Sequence, residues 1–138
     1  MKKLSLLIVV LTFISCQSDV KSEDIQKLNG YWGIQQVGLP NGEKKDYKVN
    51  ETIDYFELKG NTGFRQKVMP QFDGKFKTNG ISEAVKIIKK DDLFYIEYNT
   101  SYGKWKEQIV SVEDSILILK NQEKIEYIYK RFKPFSFK

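Results

Sequence analysis

Few side chains in this 138-residue sequence could do covalent or acid–base chemistry, and their types limit what that chemistry could be. Histidine is absent, which removes the commonest general base and the commonest metal ligand at neutral pH. Cys16 is the one cysteine, so an intramolecular disulfide and a Cys-x-x-Cys metal or redox site are both excluded. The sequence also has no glycine-rich phosphate loop and no carboxylate cluster spaced for a metal. It therefore predicts a protein that is not an enzyme and that holds no metal and no cofactor.

Asp54 and Glu57 come nearest to a pair of acid–base carboxylates. Both fall in one predicted strand, three residues apart, so their side chains point to opposite faces of the sheet. They cannot converge as a glycosidase pair without a residue from another strand.

The residues before Cys16 indicate what its thiol is for. Two lysines near the start precede an apolar stretch, residues 4–14, which Ser15 and Cys16 follow. As a helix this stretch would be about 16 Å long, half of a bilayer core, so it is not a membrane span. A charged start, a short apolar middle and a small residue before the cut are typical of a secretory signal.

The segment Phe13-Ile14-Ser15-Cys16 resembles the lipobox of bacterial lipoproteins, with Phe13 where the commonest form has leucine. In that family the cysteine becomes the first residue after cleavage and carries acyl chains, palmitate among them, on its sulfur and its amino group. The resemblance implies that Cys16 is the lipid attachment point and that the protein is anchored in the cell envelope, at the outer membrane. Several acyl chains, at about 0.8 kcal/mol per buried CH2 group, make such anchoring stable. The sequence leaves open whether the domain faces the periplasm or the cell surface.

Three segments divide the chain: a signal peptide over residues 1–15, a lipidated tether over 16–27, and a single domain over 28–138. A short helix is expected over residues 22–28, at the end of the tether. Cleavage would remove Lys2 and Lys3 from the 23 basic residues, against 18 acidic residues. No basic block remains, so nucleic acid is not an expected partner.

From Gly30 onward the sequence is a series of short strands. Apolar and polar residues alternate in runs of about six to nine, separated by turn residues such as Asn41-Gly42 and Asn79-Gly80. The nine predicted strands cover residues 31–39, 52–58, 63–69, 72–78, 84–89, 93–98, 104–112, 115–120 and 124–132. The charged segment 44–50 is expected to be a loop with an edge contact. Short strands joined by tight turns predict an all-β fold, a small antiparallel up-and-down β-barrel of eight or nine strands.

The segment Leu28-Asn29-Gly30-Tyr31-Trp32 contains the Gly-x-Trp signature of the lipocalin superfamily, and Arg131 lies on the last predicted strand. In lipocalins an arginine from the end of the barrel lies across the first-strand tryptophan at the closed base. The resemblance implies that Gly30, Trp32 and Arg131 form the structural base of a lipocalin-like barrel. Together with Leu39-Pro40-Asn41-Gly42 and Pro70-Gln71-Phe72-Asp73-Gly74, the stretch 28–135 also resembles the small lipocalin-like lipoproteins of Bacteroidetes.

Aromatic residues on the predicted strands are the candidates for lining an interior ligand site. They are Phe72, Phe76, Phe94, Tyr98 and Trp105. The same side chains fit an ordinary packed core. Trp105 fits either a cap over the barrel mouth or a core residue at the start of a strand.

Two functions are compatible with this fold. The first is a membrane-anchored lipocalin-like lipoprotein of the bacterial envelope that binds a small hydrophobic ligand. The second is a non-enzymatic accessory or interaction subunit of an outer-membrane protein assembly, with a filled barrel. Strands rich in Phe, Tyr and Ile favour a filled interior, whereas analogy with the fold family favours a ligand.

Overall fold

The computed structural model describes residues 20–48 and 50–134. The predicted signal peptide, Cys16 and the first part of the tether lie outside these residues, so the cleavage and the lipidation stay predictions. The described chain opens with a 3-10 helix, Ser22–Leu28, where the short helix is expected. No helix among the described residues is long and apolar enough to cross a membrane.

Within the described residues, nine antiparallel strands follow the helix. They are β1 (Gly30–Gly38), β2 (Lys44–Asp46), β3 (Ile53–Lys59), β4 (Thr62–Pro70), β5 (Phe76–Lys90), β6 (Leu93–Thr100), β7 (Gly103–Val112), β8 (Ile116–Lys120) and β9 (Glu126–Arg131). From β3 to β9 each strand pairs with the next one along the chain, as tight turns require.

The sheet closes on itself through β1, which pairs with β3 on one side and with β9 on the other. Trp32 stands at this seam, opposite Asp54 of β3 and Arg131 of β9. Eight strands therefore form an up-and-down barrel, and β2 is an extra edge strand on the second half of β1. The predicted all-β antiparallel barrel is confirmed, and the charged segment 44–50 makes its edge contact through its first three residues.

One strand boundary predicted from the sequence is wrong. The segments 72–78 and 84–89 were expected to be separate strands joined by a turn at Asn79-Gly80, but both belong to β5, which begins at Phe76. The pairing with β4 shifts here, because Gln66 faces Ser82 whereas Val68 faces Thr78. Three residues of β5 thus stand opposite one residue of β4. The turn residues Asn79-Gly80 therefore form a bulge that bends a continuous strand.

Strict alternation places one face of each strand inside the barrel. In β6 the side chains of Phe94, Ile96 and Tyr98 are buried, and those between them are more exposed. The central core also contains Trp32 and Phe56, which are 0% and 1% exposed.

The 3-10 helix covers one end of the barrel, which we call the helix end; the opposite end is the far end. Ile25 and Leu28 are buried in the central core, and the helix contacts β3 and β7. At its start the Asp24 carboxylate accepts a hydrogen bond from the backbone N–H of Lys21, which satisfies a donor that a helix start leaves free.

A second apolar cluster lies on the outer face of the barrel. Ile53 and Val68, partners across β3 and β4, are 2% and 4% exposed but do not belong to the central core. Tyr31 of β1 stacks on Phe76 with ring centroids 4.1 Å apart, and Phe132 meets Phe76 edge to face. The bulged hairpin of β4 and β5 therefore packs against the outside of β1.

Candidate functional site

Three predicted residues come together at the helix end. The Arg131 guanidinium carbon lies 4.2 Å from the centre of the Trp32 ring, a cation–π contact. Its Nη1 donates to the carbonyl of Asn29 at 2.8 Å. Gly30 has φ of +120°, and a Cβ there would stand 2.6 Å from Arg131 Nη1, so a side chain at this position would displace the guanidinium nitrogen that donates to Asn29. This arrangement is structural, because each guanidinium nitrogen of Arg131 and the indole nitrogen of Trp32 already donate to a backbone carbonyl.

Charged side chains point into the barrel on the far side of this core. We name as the polar cluster the inward-facing residues Asp54 (β3), Arg65 and Lys67 (β4), Glu83 (β5), Tyr98 (β6) and Glu107 (β7). Cross-strand register brings them together, since Arg65 is the partner of Glu83 and Asp54 is the partner of Lys67.

Arg65 and Glu83 form the best-bonded pair of the polar cluster. Arg65 Nη2 lies 2.8 Å from Oε1 and 3.0 Å from Oε2 of Glu83, and Arg65 Nε donates to Oε1 at 3.1 Å. Each side chain is 12% exposed. Multiple hydrogen bonds of this kind are what a buried ion pair needs to offset the loss of its hydration.

The same guanidinium contacts Tyr98. Its carbon lies 4.4 Å from the ring centre of Tyr98, and Nη1 donates to the Tyr98 hydroxyl at 3.4 Å. Burial acts to lower the pKa of Arg65, but Tyr98, Asp54 and Glu83 together hold it above its usual range. Burial also raises the pKa of Tyr98 well above 10. Arg65 therefore stays charged and Tyr98 stays neutral at ordinary pH.

Asp54 and Lys67 form the second ion pair. Asp54 is 3% exposed, and its Oδ1 lies 2.6 Å from Lys67 Nζ, in an orientation that does not meet hydrogen-bond geometry. The Lys67 side chain is 53% exposed, so its ammonium reaches water while it neutralises the buried carboxylate.

Glu107 is the least satisfied member of the polar cluster. It is 7% exposed, and its Oε1 accepts no hydrogen bond. The nearest cation is Arg65, whose Nη1 lies 3.9 Å from that oxygen. Burial raises the pKa of Glu107 above its usual range, while a side-chain hydrogen bond with Tyr98 and the positive charge of Arg65 act in the opposite direction. A buried polar atom without a partner is rare in folded proteins and calls for a specific explanation.

An aromatic stack lies beside the polar cluster, towards the far end. Trp105 stacks on Tyr98 at 5.1 Å between ring centroids, and Tyr102 lies 6.1 Å from Trp105. Tyr98 is fully buried, Trp105 is partly buried, and Tyr102 is 72% exposed. The stack therefore runs from solvent into the barrel, ending at the polar cluster.

Of the five aromatic residues expected to line a ligand site, three face the interior: Phe94, Tyr98 and Trp105. Phe72 and Phe76 do not, and this corrects the expectation. Phe72 lies in the turn between β4 and β5 and is 78% exposed, whereas Phe76 packs outside the barrel on Tyr31. Both belong to the bulged hairpin, which extends beyond the barrel wall.

The inward-facing charges were not predicted from the sequence as a site. Glu107 carries the clearest signal, because it lies two residues from both Trp105 and Ile109 and so shares their face of β7. A carboxylate on an otherwise apolar strand face indicates a buried polar group that needs a partner. Among the described residues, no group of three or more His, Cys, Asp or Glu side chains could hold a metal ion.

Among the clefts on the surface of the described residues, three have volumes of about 720, 310 and 220 Å3. The one with the largest volume of these three, which we call the outer cleft, lies outside the barrel between β1, β9 and the segment after β2, and it includes Gln35, Tyr47 and Lys130. None of the three shares a lining residue with the polar cluster.

No protein-family model matches the chain, and no curated protein matches it. Among solved structures, a lipocalin-like protein from Bacteroides uniformis is similar with a TM-score of 0.47 and 15% identity, over 77% of this chain and 99% of that one. An uncharacterized protein from Bacteroides eggerthii is similar with a TM-score of 0.47 and 14% identity, over 76% of this chain and 99% of that one. Lobster apocrustacyanin A1 is similar with a TM-score of 0.47 and 12% identity, over 84% of this chain and 67% of that one. These likenesses are distant, and the barrel fold is established by the strand order and by the pairing of β1 with β9.

Proposed function

We propose that the protein is a non-enzymatic, lipid-anchored binding protein of the bacterial envelope, whose barrel takes up a small ligand from the far end. The ligand has a mainly apolar body and at least one polar group. The observation that carries this proposal is the buried Glu107 Oε1, which has no hydrogen-bond partner and lies beside an aromatic stack that reaches solvent.

A barrel that served only as a scaffold would have no use for this arrangement. An unpaired polar atom in the interior costs about 1–3 kcal/mol, and an apolar residue at position 107 would avoid that cost. A ligand group that donates to Glu107 would recover it in the bound state only. The purely hydrophobic ligand that the fold family suggests would leave the carboxylate oxygen without a partner.

The anchoring part of the proposal concerns Cys16. The tether would lead from the lipidated cysteine to the 3-10 helix, which covers the helix end of the barrel. The far end, where Tyr102 is exposed, would then point away from the membrane and remain accessible to a ligand. We expect Cys16→Ser to leave the precursor uncleaved and without acyl chains, as a gel shift and metabolic labelling with a palmitate analogue would measure. Normal processing of this variant would reject the anchoring.

The ligand part is tested by native mass spectrometry of the full chain extracted from its own envelope. We expect a non-covalent mass above that of the lipidated chain, which disappears on denaturation. Trp105→Ala should reduce the occupancy, whereas Tyr95→Ala on the outer face of the neighbouring strand should not. A protein that carries no extra mass, and whose tryptophan fluorescence shows no saturable change with fatty-acyl probes, would reject ligand binding.

The second function, an accessory subunit with a filled barrel, is supported by a different observation. Trp32, Phe56, Ile96, Tyr98, Leu117 and Leu119 are at most 1% exposed, and the three clefts lie away from the polar cluster. A photo-crosslinking residue at Gln35, in the outer cleft, should then capture one partner protein in intact envelopes at a fixed ratio. The same photo-crosslinking residue in place of the exposed Lys86 is the control. Recovery of the protein alone from both positions would reject this function.

A further inference from the structure

The polar cluster contains more negative than positive groups. Its acids are Asp54, Glu83 and Glu107, and its bases are Arg65 and Lys67. Each base has a closer acid than Glu107, since Arg65 lies 2.8 Å from Glu83 and Lys67 lies 2.6 Å from Asp54. With all five groups ionised, one negative charge is left over inside the barrel, on Glu107.

Arg65 cannot move to Glu107 without loss. Its Nε and Nη2 are both held by Glu83, and its Nη1 donates to Tyr98. Rotation towards Glu107 Oε1, now 3.9 Å from Nη1, would trade several good hydrogen bonds for one. The Glu107 carboxylate is hydrogen-bonded to the Tyr98 side chain, but its Oε1 accepts no hydrogen bond and remains an open acceptor.

The surroundings of this oxygen suit a cation. Trp105 lies two residues from Glu107 on the inner face of β7, and it stacks on Tyr98. Aromatic faces attract an ammonium group through their quadrupole, by about 0.5–2 kcal/mol depending on desolvation. An anion at the same place would meet the unneutralised carboxylate and would be repelled.

We propose that the polar cluster binds a primary ammonium group, which donates to Glu107 Oε1 while the apolar body of the ligand lies against Trp105. This inference rests on the proposed ligand-binding function and names the chemical class of its ligand. The ammonium cancels the leftover charge, and its three N–H groups can donate to Glu107 and to water.

The test uses the full chain in lipid nanodiscs, with three probes of equal length: hexylammonium, hexanol and hexanoate. Titration calorimetry against empty nanodiscs removes the contribution of partitioning into lipid. We expect hexylammonium to bind with one-to-one stoichiometry and at least ten times more tightly than hexanol, and hexanoate to bind most weakly. Binding of hexylammonium should also raise the melting temperature.

Glu107→Gln is the decisive variant, because it keeps the shape of the side chain and removes the charge. Hexylammonium should then bind no more tightly than hexanol, while Glu97→Gln on β6, outside the polar cluster, should behave as the wild type. Without ligand, Glu107→Gln should melt at the same temperature or higher, because no unpaired charge remains in the interior. A lower melting temperature would identify Glu107 as a structural partner of Arg65 and overturn the inference.

Two other results would also overturn the inference. One is equal binding of hexylammonium and hexanol to the wild type, which would preserve a ligand site in the barrel but remove its preference for a cation. The other is the absence of saturable binding by all three probes. Native mass spectrometry of the envelope-extracted protein decides separately whether the barrel carries a ligand at all, so the two failures are distinguishable.

Discussion

Arg131 covers the Trp32 ring across the seam that closes the barrel, with 4.2 Å between the guanidinium carbon and the ring centre. The same guanidinium donates to the backbone carbonyls of Lys27, Asn29 and Asp114. One side chain thus joins the 3-10 helix, the first strand and the turn before β8. The carbonyls at the end of a helix lack partners within the helix, and a cation there is favourable.

Replacement of Arg131 should therefore destabilise the fold. We expect Arg131→Ala to lower the free energy of unfolding by about 2–4 kcal/mol, from the lost cation–π contact and the carbonyls left without donors. Urea denaturation followed by tryptophan fluorescence measures this change. Lys130→Ala is the control, because Lys130 is exposed beside Arg131 and should change stability by no more than about 0.5 kcal/mol. Equal stability of the two variants would contradict the role given to Arg131.

Gly30 should be intolerant of a side chain for a reason that depends on Arg131. Gly30→Ala adds a backbone penalty of about 1–3 kcal/mol at positive φ and a Cβ that collides with the guanidinium. Gly42→Ala is the matched control, since Gly42 also has positive φ but no atom within 4 Å of the added Cβ. We expect a larger loss of stability at Gly30 than at Gly42 in urea denaturation. The difference between the two stability losses should shrink when both substitutions are made in the Arg131→Ala variant. If the difference persists in that variant, the extra loss at Gly30 comes from another contact.

Arg65 and Glu83 should behave as a coupled buried pair. Arg65→Met should cost about 3–5 kcal/mol, because it leaves Glu83 buried without its cation. Glu83→Leu added to it should recover part of this loss, which a double-mutant cycle in urea measures. The exposed pair Lys27 and Asp24 is the control: its coupling should vanish in high salt, whereas that of Arg65 and Glu83 should persist. Additive effects of the two core substitutions would show that the pair does not act as a unit.

The raised pKa of Glu107 predicts a pH dependence of stability. Below pH 4.5, the ordinary pKa of a glutamate, the Glu107 carboxyl is protonated in the folded and in the unfolded protein. As the pH rises above 4.5, the unfolded chain loses this proton first. The native state then binds more protons, so the free energy of unfolding falls as the pH rises from 4.5 through the raised native pKa.

Glu107→Gln should remove this fall and leave the rest of the pH profile unchanged. Melting temperatures of both proteins between about pH 4 and pH 8 give the comparison, within the range where carboxyl groups titrate. The charged and titratable groups that face Glu107 are the same in both proteins: Arg65, Tyr98, Asp54, Lys67, Tyr127 and Tyr129. Parallel profiles for the two proteins would contradict the prediction.

Sequence patterns were sufficient for the fold class and insufficient for one strand boundary. The alternation of Phe94, Ile96 and Tyr98 reports directly which face of β6 is buried. Asn79 and Gly80 give the same local signal in a hairpin turn and in a bulge: the Asn79 side chain accepts from the N–H of Ile81, and Gly80 has positive φ. The structure has a bulge because the residues of β5 before and after Asn79-Gly80 both pair with β4. This pairing depends on residues that are distant along the chain.

The helix end and the polar cluster differ in how far the sequence predicts them. Gly30, Trp32 and Arg131 were named together from a family resemblance, and the structure places them in contact. Arg65, Glu83 and Glu107 lie on three strands, and of these only Glu107 carries a sequence signal of burial, from Trp105 and Ile109 on its face of β7. The register of the strands brings them together, and the bulge in β5, which the sequence pattern predicts as a turn, shifts that register.

The hydrogen bond from Arg131 to Asn29 joins residues 102 positions apart, and it can form only after β9 has been added to the sheet. A sheet without β9 would be open and would have two unpaired edges, β1 and β8. Such edges pair readily with other chains, and long-range closure is slow. Because β9 pairs with both of these edges, it is the strand that removes them, so substitutions in β9 should reduce the yield of folded protein more than equally destabilising substitutions in the hairpin of β6 and β7.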